Sequence, residues 1–160
     1  MYKGHSSTMI RLTGLFLLLL AFLPAFGQGR GDASVRAQAD ALFAEERFAE
    51  AMPLYAQLVS LSPSDHDLNY RLGTCIVHSG GDKEQAIGFL RYAVQNASVP
   101  PLAWYYYGRA FHLTYQFAAA LDAYQHFRGM GDKKALATHP VEALEKQCRN
   151  GLNLLNNLKE

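Results

Sequence analysis

Cysteine is scarce in this 160-residue chain, with only two, Cys75 and Cys148, far apart in sequence. One bridge at most can form, which excludes the disulfide-stapled scaffolds of small secreted domains. Both cysteines fall inside helical patterns, where small buried hydrophobes are the expected role and a pair the alternative. Excess charge of either sign is also missing, since 15 Lys and Arg face 14 Asp and Glu. Without a broad basic field there is no sequence-independent hold on phosphates, and nucleic acid is set aside as a partner. A sustained alternation of apolar and polar residues, the mark of half-buried strands, is absent as well.

Catalytic signatures are equally lacking. There is no phosphate-binding loop, no Gly-x-Ser-x-Gly elbow and no His-Glu-x-x-His. Among the six histidines, His78, His112 and His126 form no i, i+4 ligand pair, and surface or groove positions are expected for them. Glu45, Glu46 and Glu50 read as a solvated face. No catalytic residue, cofactor or metal is therefore assigned. A hydrolytic or metal-dependent enzyme built on groove His and Tyr side chains is the contrasting reading, and stoichiometric metal after purification without chelator would favour it.

Only one long apolar run is present. Lys3 and Arg11 precede "LTGLFLLLLAFLPAFG", which carries no charge and ends on Pro24 with Ala25 and Gly27 flanking Phe26. A positive start, an apolar stretch and a small-x-small exit form the pattern of a secretory signal peptide. Residues 1–27 are expected to be that signal, cleaved after Gly27, and Met9 offers a second adequate start. A retained anchor is the rival reading, but the run falls short of the roughly 20 apolar residues of a spanning helix. No cysteine at the exit provides for a lipid anchor. Export to the periplasm, the outer membrane surface or the medium is the expectation, with no stable membrane span after cleavage.

From Asp32 onward apolar residues recur at helical spacing. "SPSD" (62–65), "SGGDK" (79–83), "ASVPP" (97–101) and "GMGDKK" (129–134) are turn-type clusters too short for strand crossovers. Helices are predicted at roughly 32–45, 48–61, 66–79, 83–96, 101–114, 117–129 and 140–158. "FAEAMPLY", "KEQAIGFL" and "FAAALDAY" superpose Ala51, Ala86 and Ala120 at intervals of 35 and 34 residues. A large apolar residue lies four places beyond each: Tyr55, Leu90 and Tyr124. In the preceding helices Ala39, Gly73 and Gly108 superpose as small residues. Such a period predicts an all-α solenoid of three stacked hairpins, at about 32–65, 66–100 and 101–132, within a domain spanning 28–160. "THPVEALEKQCRNGLNLLNNLKE" then supplies a capping helix at about 140–158, interrupted or weakened near Gly151. Val141, Leu144, Cys148, Leu152 and Leu155 would face the stack, and Glu142, Lys146, Arg149 and Asn153 the solvent.

"WYYYGRAF" followed by "AALDAY" resembles the tetratricopeptide repeat, through Trp104, Tyr107, Gly108, Phe111, Ala120 and Tyr124. The second unit matches through Leu72, Gly73, Ile76, Ala86 and Leu90, with Asn69 in place of the usual Trp. The first matches through Ala39, Leu42, Phe48, Ala51, Tyr55 and Pro63. The third unit and the closing "CRNG" helix also resemble the N-terminal repeat module of Gram-negative envelope proteins that continue into a β-propeller and an OmpA-like domain.

The resemblance implies a non-enzymatic interaction module whose first helices line a concave groove. Stepping from the core stripe by helical turns places Arg36, Asp40 and Phe43, then Tyr70, Thr74 and His78, then Tyr105, Arg109 and His112 on that face. Tyr and Arg are frequent carriers of binding energy, which favours a protein or peptide partner, expected to be of the cell envelope. The Lys and Asn that clamp a chaperone C-terminal carboxylate in one branch of the family are replaced here by Thr74 and Asp40, so that ligand is not expected. Self-assembly of identical copies through the repeat ends is a further alternative.

Overall fold

The computed structural model describes residues 28–131 and 133–158. The apolar run assigned above to a signal peptide lies outside them. Two compact units divide at Ala33: in Met1–Ala33 the described residues are a helical opening, and Ser34–Glu160 holds the core. The described helices are α1 (Gln28–Ala44), α2 (Phe48–Leu61), α3 (His66–Ser79), α4 (Lys83–Ala93), α5 (Leu102–Leu113), α6 (Phe117–Met130), α7 (Lys133–Thr138) and α8 (Glu142–Asn157). No strand occurs among the described residues. The architecture is an all-α, tetratricopeptide-like solenoid of hairpins α3–α4 and α5–α6, with α8 packed against α6 and a first hairpin in which Phe43 and Asp40 of α1 meet Phe48 and Tyr55 of α2.

The repeated small residue explains how each hairpin closes. A methyl added at Gly73 would lie 2.6 Å from Leu90 Cγ, and one at Gly108 would lie 2.6 Å from two carbons of the Tyr124 ring. Leu90 and Tyr124 are fully buried, as are Ala51, Ala86 and Ala120 on the partner helices. In each of these two hairpins the large residue of the second helix thus seats on the bare backbone of the first. The first hairpin uses Ala39 at the corresponding place, also fully buried. That alternation of small and large side chains is the 34-residue period in physical form.

Each hairpin also turns through a left-handed residue at the corresponding position: Glu46 (φ 58°), Gly80 (φ 77°) and Tyr115 (φ 60°). The amide of Arg47 donates to Leu42 O at 2.9 Å, and that of Gln116 to Phe111 O at 2.9 Å. These are the six-to-one bonds of a Schellman-type helix end, which require the left-handed residue. Helix starts are fixed by acids where available. Asp65 accepts from the amides of Asp67 and Leu68 (2.9 and 3.0 Å), and Asp82 accepts from that of Glu84 (2.9 Å).

Three expectations are corrected. The turn expected at 129–134 is partly helical, since α6 runs on to Met130 and α7 starts at Lys133; Gly131 is extended (φ −70°, ψ 136°), and its amide still donates to Phe127 O at 2.7 Å. The interruption expected near Gly151 does not occur: α8 runs unbroken across it, and a methyl there would lie 2.4 Å from a carbon of the Phe117 ring. Leu155, expected against the stack, is 42% exposed. Glu145 instead is buried on that side, its Oε2 accepting from Arg128 at 3.0 Å and lying 3.5 Å from Arg149. Cys75 and Cys148 are buried and free, and burial pushes the Cys75 thiol up to about 12.

Candidate functional site

A half-open cavity of about 750 Å³ lies where the α1–α2 turn, the end of α3, α5 and the segment after α7 meet. His78, on the last turn of α3, stacks flat on Phe48 with ring centroids 4.1 Å apart and meets the Tyr106 ring edge-on at 5.3 Å. Tyr105 packs edge-to-face with Tyr106 at 5.1 Å and with His139 at 4.8 Å. Arg109, one helical turn along α5, completes this wall, and Glu46, Arg47 and Glu50 line the opposite side. Helical spacing alone brings Tyr105, Tyr106 and Arg109 together, at i, i+1 and i+4.

The electrostatics of the cavity are uneven. Arg47 is committed to Glu45 and Glu50, at 2.9 and 2.7 Å. Arg109 makes no ion pair with any described carboxylate, and its charge acts on His78, His112 and Tyr124. Burial holds the His78 imidazole below its ordinary value, Arg109 adds to that depression, and Glu46 opposes it. Burial pushes Tyr106 up to about 12, reinforced by Tyr105 and Glu46, which leaves its hydroxyl a neutral donor. Among the charged lining residues Arg47 and Glu50 pair with each other, whereas Arg109 and Glu46 make no ion pair with a described residue, and at neutral pH they stand beside a neutral imidazole at His78 and the Tyr106 hydroxyl.

Of the nine residues placed on the groove from sequence, His78, Tyr105 and Arg109 line this cavity. His112 is half-buried beside it, its Nδ1 3.4 Å from the Tyr124 hydroxyl. Tyr70 and Thr74, expected on the open face, are instead buried, Thr74 completely. Arg36 and Asp40 are bound into a local network: Arg36 donates to Asp40 at 3.2 Å and also to Asp67, Arg71 donates to Asp67 at 2.9 Å, and the Tyr55 hydroxyl donates to Asp40 at 2.7 Å. Phe43 packs edge-on against Phe48 and Tyr55 beneath the Arg71 guanidinium, 5.2 Å from its ring centroid. The polar network of Arg36, Asp40, Tyr55, Asp67 and Arg71 links α1, α2 and α3.

Tyr106, Phe48, Glu46 and His139 are lining residues that the sequence reading did not select. Tyr106 carried a signal, since it stands three places before Arg109 on the same helix. His139 carried none, because its placement depends on α7. Among the described residues no three side chains of His, Cys, Asp or Glu are grouped so as to hold a metal ion.

Fold and cavity together define a helical-hairpin repeat module with a recessed polar and aromatic face. Residues 36–101 match the model of the tetratricopeptide repeat family, a stretch running from within α1 to just past the second hairpin. The third hairpin, beyond that match, repeats the same seat of a large side chain on glycine. No curated protein matches the chain. Repeats of this family generally mediate protein–protein contacts, and no helix among the described residues is long and apolar enough to cross a membrane.

Proposed function

We propose that this protein is a non-enzymatic interaction module of the cell envelope, exported by its apolar leader, and that it holds a segment of a partner protein in the cavity between α3 and α5. The observation carrying this reading is the cavity itself: about 750 Å³, walled by Phe48, Tyr105 and Tyr106, with Arg109 in reach. Tyr and Arg in recessed sites are enriched among the few side chains that carry most of the binding energy at protein interfaces. Capture from a Gram-negative envelope extract tests it, with the full chain set beside a Tyr106→Ala, Arg109→Ala variant and a His126→Ala control. His126 stacks on Trp104 and does not line the cavity. A partner retained by the parent and the control but lost by the double variant is expected. Equal retention by all three would remove the cavity as the binding site.

Self-association is a second reading, favoured by the end of α8, where Leu154 and Leu158 are 65% and 82% exposed. Apolar side chains left this open suit burial against another copy. Light scattering of the full chain and of a Leu154→Glu, Leu158→Glu variant separates the two readings: self-association predicts a concentration-dependent mass that the variant abolishes.

A further inference from the structure

We infer that the cavity receives a carboxylate side chain of the partner segment on Arg109, and that protonation of His78 tightens this hold as the pH falls. The inference rests on the interaction reading above and names the chemistry of its ligand.

Charge complementarity carries the argument. Arg36, Arg47, Arg71, Arg128 and Arg149 each reach a carboxylate within the described chain. Arg109 is half-buried in a cavity wall and reaches none. A partly desolvated guanidinium without an acid is a strong site for an incoming carboxylate, because bidentate hydrogen bonds restore what it lost from water. Phe48 and Tyr106 line the same cavity, and a segment seated against them would exclude solvent from the pair, which raises its strength. They also provide faces for an apolar residue next to the acid.

The charges facing His78 set the sign of the pH effect. From α5 come Arg109 and the Tyr106 hydroxyl, from the start of α4 Lys83, from beyond α7 His139, and from the α1–α2 turn Glu46. Arg47 and Glu50 also line the cavity but satisfy each other. Of the facing groups only Glu46 favours the imidazolium, and burial, Arg109, Lys83 and His139 disfavour it. An anion bound at Arg109 offsets part of that disfavour, so the His78 imidazole gains a proton more readily in the complex than in the free protein. By linkage, affinity then rises as pH falls through the value in the complex and levels off below the value in the free protein. It declines once the ligand's own carboxylate protonates, near about pH 4. Each unit by which the complex raises the imidazole is about ten-fold in affinity.

The test is a nuclear magnetic resonance titration of the isotope-labelled full chain with the blocked peptide acetyl-Phe-Glu-Phe-amide and its Gln counterpart, at about pH 7.5 and about pH 5.5. The Glu peptide is expected to move signals of Tyr105, Tyr106, His78 and Arg109 saturably, with Kd about ten-fold lower at the acidic pH. The Gln peptide should bind at least about ten-fold more weakly. Arg109→Gln should abolish the preference for Glu, and His78→Phe, which keeps a ring on Phe48, should flatten the pH dependence. Equal binding of both peptides, no saturable shift with the Glu peptide up to about 10 mM, or shifts confined to other surfaces would overturn the carboxylate assignment. Pocket-dependent capture of a partner alongside such a result would leave the interaction reading standing and remove only its ligand chemistry. Unchanged pH dependence in His78→Phe would overturn the linkage.

Discussion

Replacing Gly108 with alanine should destabilise this protein, whereas the same change at Gly88 should stabilise it. Both glycines lie inside helices, α5 and α4, so both substitutions gain about 1 kcal/mol of helix propensity. They differ in what the new methyl meets. At Gly88 there is nothing within 4 Å, and the full gain remains. At Gly108 the methyl would stand 2.6 Å from the Tyr124 ring, which is 0% exposed and cannot swing away. Overpacking of that kind costs about 1–3 kcal/mol, so the net loss is up to about 2 kcal/mol. Urea unfolding followed by helical circular dichroism reads both, and a loss of 1 kcal/mol lowers Tm by about 4 °C. In a Tyr124→Ala background the Gly108→Ala change should reverse sign, since the ring that opposes it is gone. A Gly108→Ala protein as stable as Gly88→Ala would refute the close seat. Helices α5 and α6 could then move apart at little cost.

Three further outcomes are expected. Tyr115→Gly should stabilise by about 1 kcal/mol, because a bulky residue is held at φ 60° and its ring is 75% exposed; thermal melts that show a loss would mean the edge contact with Phe117 outweighs the backbone. Asp65→Ala should cost about 1 kcal/mol by leaving the amides of Asp67 and Leu68 uncapped, measured as a shift of the denaturation midpoint with unchanged slope. Glu145→Ala should loosen α8 from α6, at a cost of about 1–2 kcal/mol because Arg128 and Arg149 are half-exposed and can turn to water; faster trypsin cleavage at Arg149 with the rest of the chain intact is the readout, and unchanged cleavage would count against the latch.

The period was legible because it is a packing rule. Ala39, Gly73 and Gly108 in one helix and Tyr55, Leu90 and Tyr124 in the next are the contact itself, so aligning them located the hairpins. The groove was less legible. Stepping along each first helix put Tyr70 and Thr74 on an open face that the neighbouring hairpins in fact cover. Arg36 and Asp40 stand outside the cavity and in a network of their own: their partners, Asp67 and Arg71, lie about one repeat further along, and no local spacing announces a bond of that span. Glu145 shows the limit of polarity as a guide, since an acid on an amphipathic helix reads as solvated until two arginines are seen to converge on it.

The left-handed turn residues Glu46, Gly80 and Tyr115 recur with the repeat, at intervals of 34 and 35 residues, while their side chains have nothing in common. Backbone shape is the requirement at these places and chemistry is free to vary. They therefore make natural attachment points for probes: a pair of spin labels at positions 46 and 115 would report the pitch of the stack without touching a buried side chain. Glu46 alone of the three also lines the cavity, so a label there would register occupancy by a partner, with the label at 115 as the unmoved reference.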